Sequence, residues 1–429
     1  MFEKLFKLAE HGTNVKQEIL AGFTTFLTMG YIIFVNPSML AMTGMDQGAV
    51  FVATCLAAAI GCLIMGFYAN YPIALAPGMG LNAFFTFTVV LELGYSWNVA
   101  LGGVFISGVI FTLLSAFKVR EWIINSIPHA LRFGIAAGIG MFLALIALKN
   151  AGIIVASPAT LVTLGDITSF GPMMAVLGLF LIVGLVSLNV HGAVMIAILV
   201  ITILGLMFGD VQYTGVMSMP PSIAPTFLAL DIAGAFEVGM LSVIFAFLFV
   251  DLFDTSGTLV AVAQRGKLLD ENGNLPRLKK ALFADSGATI AGSLFGTSTT
   301  TSYVESTAGV AAGGRTGLTA VTVAVLFLLA LFFSPLAGMI PAYATAGALF
   351  FVGVLMVGGL VNVKWDDLMD AVPVVVILVT MPLTFSIADG IAFGFISYAA
   401  VRIFSGRFGE ISPSVWFLAA LFVAKFMFM

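Results

Sequence analysis

GTSTTTSYVESTAGVAAGG, residues 296–314, is the least helix-like stretch of a strongly apolar chain. Its six consecutive small hydroxyl residues, Thr297 to Ser302, have poor helix propensity and favour an extended backbone. A second stretch, YPIALAPGMGLNAFFTF (71–87), has the same form, extended and proline-broken first and helical afterwards. An extended backbone cannot present its N–H and C=O groups to lipid. The hydroxyl run is therefore expected to lie buried against the matching segment near Ala74–Pro77.

The surroundings make lipid the relevant solvent. Of 429 residues, 61% are hydrophobic and 9% charged, and the mean hydropathy is +1.14. A soluble domain carries about 25% charged residues, so a soluble enzyme and a nucleic-acid binder are both excluded. At about 20 apolar residues per crossing plus short connections, the length allows about fourteen passes. Apolar runs place them near 19–42, 48–69, 73–92, 97–117, 133–149, 171–188 and 191–209, then near 236–263, 281–296, 303–314, 317–335, 341–361, 371–387 and 388–404. A final run, Val415–Met429, is short for a span and is expected along the interface. The start, MFEKLFKLAEHGTNVKQE, reads as an amphipathic surface segment and not as a cleavable signal. No G-x-x-x-x-G-K-[ST] pattern is present, so the chain itself supplies no ATP-driven step. Cys55 and Cys62 fall seven apart on one helix, too far for a disulfide.

With the N-terminus inside, all of the 17 Lys and Arg residues except Lys149 and Lys425 fall on the cytoplasmic side. That bias fixes the expected orientation. The two sets of seven runs also match each other. LVSLNVHGAVMIAILVITILG (185–205) and PLTFSIADGIAFGFISYAAVRIF (382–404) each close a set as a tight hairpin, and the third run of each set is the broken one. Seven is odd, so the second copy must be inverted. The expected organisation is an all-α polytopic membrane protein of 14 transmembrane segments: a segment 1–18, repeats at 19–209 and 236–404, and a tail at 405–429. Short extended segments interrupt spans 3 and 10. Interrupted helices at matching positions of inverted repeats point to the site of a secondary transporter.

Acids inside the membrane are costly and point to function. Asp251 and Asp254 lie in AFLFVDLFDTSGTLVAV (246–262), three apart and able to share a helix face, with Thr258 one turn beyond Asp254. Glu305 follows the hydroxyl run where the next half-helix begins, at that helix's positive end. An ionised carboxylate in a dry crevice accepts strong hydrogen bonds from the N–H groups of a heterocycle. Burial and a like charge also let one of a close pair take up and release a proton. Asp251, Asp254 and Glu305 are thus candidates for proton coupling. Asn36, before Pro37, occupies the position in the first repeat that matches Asp254 and is a supporting candidate. Phe84, Phe85 and Tyr303 flank the broken segments and can stack on a planar ligand. Thr301, Val304 and the supporting Ser302 adjoin Glu305. His11, His129 and His191 fall at loops or span ends, against a histidine relay. No metal, cofactor or catalytic residue is expected.

At these motifs the chain becomes recognisable. YPIALAPGMGLNAFF, FLFVDLFDTSGTLVAVA and GTSTTTSYVESTAGVAAGGRTGLTA resemble signatures of the second nucleobase–cation symporter family, in its AzgA-like branch of hypoxanthine/guanine and adenine permeases. The resemblance implies the uracil-permease fold, with a core domain of spans 1–4 and 8–11 and a gate domain of spans 5–7 and 12–14. It implies that Glu305 binds the base, that Asp254 is the span-8 acid, and that Gly80, Leu81 and Asn82 open the span-3 half-helix facing the ligand. Pyrimidine permeases carry a histidine one turn after the span-8 acid, where this chain has Thr258. Relatives are often homodimers.

The expected function is uptake of purine nucleobases, hypoxanthine and guanine first, by proton symport and alternating access across the inner membrane. Adenine is the alternative, favoured less because VDLFDTSGT, with Asp251, looks more like the hypoxanthine/guanine members. An anion transporter of the same architecture would want a cation at the half-helix ends, and Arg315 sits cytoplasmic of them. An intramembrane protease would need G-x-G-D or G-x-S-G, and neither occurs.

Overall fold

The computed structural model describes residues 2–116, 128–270 and 275–428. Lys118 and Arg120, which contribute to the charge bias, lie outside them. Among the described residues, nine helical stretches are long and apolar enough to cross a membrane, and four shorter apolar helices accompany them. The chain divides into two compact units, Met1–Ala116 with Asp166–Ala348, and Phe117–Gly165 with Leu349–Met429.

The first unit begins with α1 (Phe2–Phe6), α2 (Val15–Met29), α3 (Ile32–Ala41) and α4 (Gln47–Ile64), the last extended by a π-helical turn to Ala69. One apolar run, 19–42, is here two helices broken at Gly30–Tyr31. The cause is local: Thr24 and Thr28 return their hydroxyls to carbonyls of the preceding turn, at 2.9 Å to Leu20 O and 2.8 Å to Thr25 O, which bends helices. Strand β1 (Leu75–Pro77) then leads into α5 (Met79–Ala83), which widens into a π-helix over Phe84–Glu92. Helices α6 (Trp97–Ala116), α8 (Phe170–Ser187) and α9 (Ala193–Met207) follow in this unit, separated in sequence by α7 (His129–Asn150) of the other.

The later half of the first unit has the same order. A long α10 (Val238–Arg265) and α11 (Leu278–Phe295) precede β4 (Thr300–Ser302). A short α12 (Ser306–Ala311), α13 (Gly317–Ala330) and α14 (Ser334–Met339) come next, and α15 (Ala342–Val357) runs on into the second unit. Strands β1 and β4 pair antiparallel, Leu75 opposite Ser302, Ala76 opposite Thr301 and Pro77 opposite Thr300. All six residues are buried. The hydroxyl run is extended, and its partner is the proline-broken segment.

In the second unit, α7 packs on α16 (Leu368–Leu383) and α17 (Ile387–Phe404). A short hairpin of β2 (Ile154–Ser157) and β3 (Leu161–Leu164), absent from the sequence expectation, follows α7. The nearly buried Arg402 ties α17 to α16 through Asp370 Oδ1 and Met369 O, each at 2.7 Å. The tail forms a helix, α18 (Pro413–Phe428), with Phe422 against Phe395 at 5.9 Å.

Candidate functional site

The crossing of β1 and β4 brings two half-helices to one place in the first unit. Gly78 opens α5, and a side chain there would meet Thr301 Oγ1 at 2.8 Å, so glycine lets the strands approach. Glu305 stands at the N-cap of α12, its own side chain making no capping bond. The small residues of α12 let it lie close on α2: a Cβ at Gly309 would collide with Thr25 Oγ1.

Glu305 is half-buried, between the exposed Val304 and the buried Ser306. Its Oε1 accepts from the Tyr31 hydroxyl at 2.7 Å, and its backbone carbonyl accepts from Thr28 Oγ1 at 3.4 Å. Tyr31 is 1% exposed and sits in the break between α2 and α3, so the bent first span supplies the acid's partner. Asp254, on α10 and half-buried, lies near the Thr301 hydroxyl and within electrostatic reach of Glu305 and Tyr303. On α5, Asn82 is fully buried. Its Oδ1 accepts from Ser298, and its Nδ2 has no partner among the described residues. The site therefore offers two carboxylates, and an orphaned amide donor lies buried in α5.

The other candidates take varied places. Tyr303 turns its hydroxyl back to Pro77 O at 2.6 Å, locking the two strands. Val304 is 45% exposed beside Glu305, and Gly80 is half-buried at the start of α5. Leu81 is buried in the same helix, as are Phe84 and Phe85, and Phe84 meets Phe247 of α10 edge-on with ring centroids 4.9 Å apart. Asn36 is fully buried behind the site and donates to Thr54 Oγ1 and Thr297 Oγ1 at 2.7 and 2.9 Å. Thr258 is nearly buried one turn beyond Asp254.

Asp251 serves a different group from Asp254. Its Oδ1 contacts Thr255 Oγ1 at 3.2 Å, and the same hydroxyl lies 2.9 Å from both oxygens of Asp285 on α11. Asp285 is fully buried and also accepts from Ser302 N at 3.0 Å and Ser302 Oγ at 3.2 Å. Sequence reasoning passed over Asp285, although it lies inside the run 281–296 and the rule that flagged Asp251 applies equally to it. Glu18, read as part of a surface segment, is likewise fully buried. Its carboxylate accepts from Arg315 N, Thr316 N, Thr319 N and Thr319 Oγ1 at 2.6–3.2 Å, capping α13 immediately after the half-helix that carries Glu305. Gln17 and Arg315 bond the last carbonyls of that half-helix.

A polytopic helical protein whose two half-helices start at a buried strand crossing, with carboxylates at the crossing, has the build of a secondary transporter. The Permease family model Xan_ur_permease matches residues 16–393. The chain belongs to that family, the second family of nucleobase–cation symporters. Adenine permease AdeP of Escherichia coli is 53% identical over the whole chain and 96% of its own length. Guanine/hypoxanthine permease PbuG of Bacillus subtilis is 48% identical, covering 99% of both chains. Among solved structures, the transmembrane domain of the cyanobacterial bicarbonate transporter BicA matches with a TM-score of 0.67 at 17% identity, covering 88% of this chain and 97% of that one. At that identity the likeness is one of fold.

Proposed function

We propose that this protein takes up purine nucleobases across the inner membrane by proton symport, with alternating access. Glu305 accepts hydrogen bonds from the base, Asp254 supports binding or carries the proton, and the open end of α5 with Asn82 completes the cradle. The observation that carries the reading is the placement of Glu305: a carboxylate at the head of a half-helix, held by Tyr31 on one oxygen and left half-exposed beside Val304. Fourteen spans in two inverted repeats, a core of spans 1–4 and 8–11, a gate of spans 5–7 and 12–14, a cytoplasmic N-terminus and a homodimeric assembly belong to the same proposal. The antiparallel crossing of β1 and β4 supports the inverted repeats, because two parallel copies would not bring matching segments together head to tail.

Hypoxanthine and guanine present N1–H beside a carbonyl, which suits an ionised Glu305. A second reading, adenine, is favoured by two observations: the unpartnered Asn82 Nδ2 is a donor that fits an acceptor ring nitrogen, and the relative named an adenine permease is the more similar of the two described above. The test is uptake of labelled hypoxanthine and labelled adenine into cells lacking their own purine permeases, with unlabelled bases as competitors and with or without a protonophore. Accumulation of either base that the protonophore abolishes supports the proposal and names the purine. Full accumulation by Glu305→Gln would overturn the role given to Glu305, and no uptake of any purine would overturn the function.

A further inference from the structure

A three-residue strand pair leaves two outer edges. In the register of β1 and β4 the groups turned inward are those of Ala76 and Thr301, extended by Gly78 N to Thr299 O and Tyr303 N to Ala74 O, each at 2.9 Å. The groups of Leu75, Pro77, Thr300 and Ser302 turn outward, away from the ladder. All are buried, so each needs a partner from elsewhere.

Pro77 O accepts from Tyr303, and the outward groups of Leu75, Thr300 and Ser302 N are met by side chains of the preceding long helices. On β1, Leu75 N donates to Cys62 Sγ of α4 at 3.2 Å, and the thiol donates back to Leu75 O at 3.4 Å. On β4, Thr300 N donates to Thr289 Oγ1 of α11 at 3.2 Å, and that hydroxyl donates back to Thr300 O at 2.9 Å. Leu75 and Thr300 each begin their strand, and α4 and α11 are each the helix before it. One side chain thus closes both backbone groups of the first strand residue in each half. The strand ends differ: Pro77 has no N–H to satisfy, whereas Ser302 N requires Asp285.

We infer that Cys62 and Thr289 are matching positioning residues, each standing in for a missing third strand and together fixing the strand crossing from which both half-helices start. The inference rests on the transport reading for its functional consequence. A hydroxyl at 62 or a shorter hydroxyl side chain at 289 can make the same two bonds, whereas Ala at 62 or Val at 289 leaves a buried N–H and C=O without partners.

The test compares Cys62→Ser with Cys62→Ala, and Thr289→Ser with Thr289→Val, in the full chain. Purine uptake is measured with membrane levels quantified, and hydrogen–deuterium exchange is followed in peptides spanning 75–77 and 300–302 of the purified protein. The serine variants should keep the wild-type KM. The alanine and valine variants should raise KM roughly tenfold at comparable membrane level, the scale expected for a lost buried hydrogen-bond pair, and should speed exchange in their own strand. Variants that differ in neither KM nor exchange would overturn the inference. Should the wild type take up no purine, the transport reading falls, and the exchange comparison alone decides the positioning role.

Discussion

The Tyr31 hydroxyl donates to Glu305 Oε1 at 2.7 Å, joining residues 274 apart in sequence through the bend of the first span. A hydrogen bond to a charged group contributes about 1.5–3 kcal/mol. Tyr31→Phe keeps the packing and frees the carboxylate to rotate away from the base. KM for the purine should rise about tenfold with membrane level unchanged, as read by initial uptake rates over a range of base concentrations. A wild-type KM in this variant would show that the bond does not orient Glu305.

Thr255 has one hydroxyl hydrogen and contacts two carboxylates, so it can donate to only one of them. Asp285, at 2.9 Å against 3.2 Å for Asp251, is the better placed acceptor, and it also holds Ser302 of β4. Asp285→Asn offers one acceptor oxygen in place of two and turns an NH2 toward donors already present. The melting temperature in detergent should fall, reflecting a loss of about 2–3 kcal/mol, and by more than for Asp251→Asn. Equal melting of the two variants would contradict this ordering.

Glu18 gathers four donors at the start of α13. Glu18→Gln retains one acceptor oxygen and brings its own NH2 into a ring of N–H groups. A loss of about 1.5–3 kcal/mol is expected, measured as a lower melting temperature. Uptake per folded molecule should change little, since Glu18 touches the start of α13, beyond the half-helix that carries Glu305.

His11 lies in the turn between α1 and α2. Burial, and then the Arg277 guanidinium, hold its imidazole below the ordinary value of 6.5. The unfolded chain binds that proton more readily than the folded protein, so the contribution is whole above pH 6.5 and is lost as the pH falls below it. Melting temperatures taken on either side of pH 6.5 should show a smaller drop for His11→Asn than for the wild type.

The strand crossing was legible because a hydroxyl run is a poor helix and lipid forbids an unpaired backbone, which left one matching segment to receive Thr297–Ser302. Glu305 was legible for the same reason, since it follows the break. Tyr31 was not: Gly30, Pro37 and the threonines of 19–42 are all tolerated in straight membrane spans, and the threonines' return bonds become visible only in three dimensions. Glu18 was assigned to the surface because apolar periodicity begins at Ile19, while the helix itself starts at Val15 and carries the acid under the next layer. The pair Cys62 and Thr289 gave no signal, because a thiol and a hydroxyl serving the same backbone positions have no common letter.

The order of synthesis gives the strand pair a further consequence. β1 is made about 220 residues before β4, an interval of roughly 10–45 s at about 5–20 residues per second. Cys62 is already in place to close the outer edge, but the inner groups of Ala76 and Gly78 have no strand to bond until the second half arrives. A nascent first half is therefore an unfinished object inside the bilayer. A chain that stalls before residue 300 should be recognised by membrane quality-control proteases, and the two halves stand or fall as one product of translation.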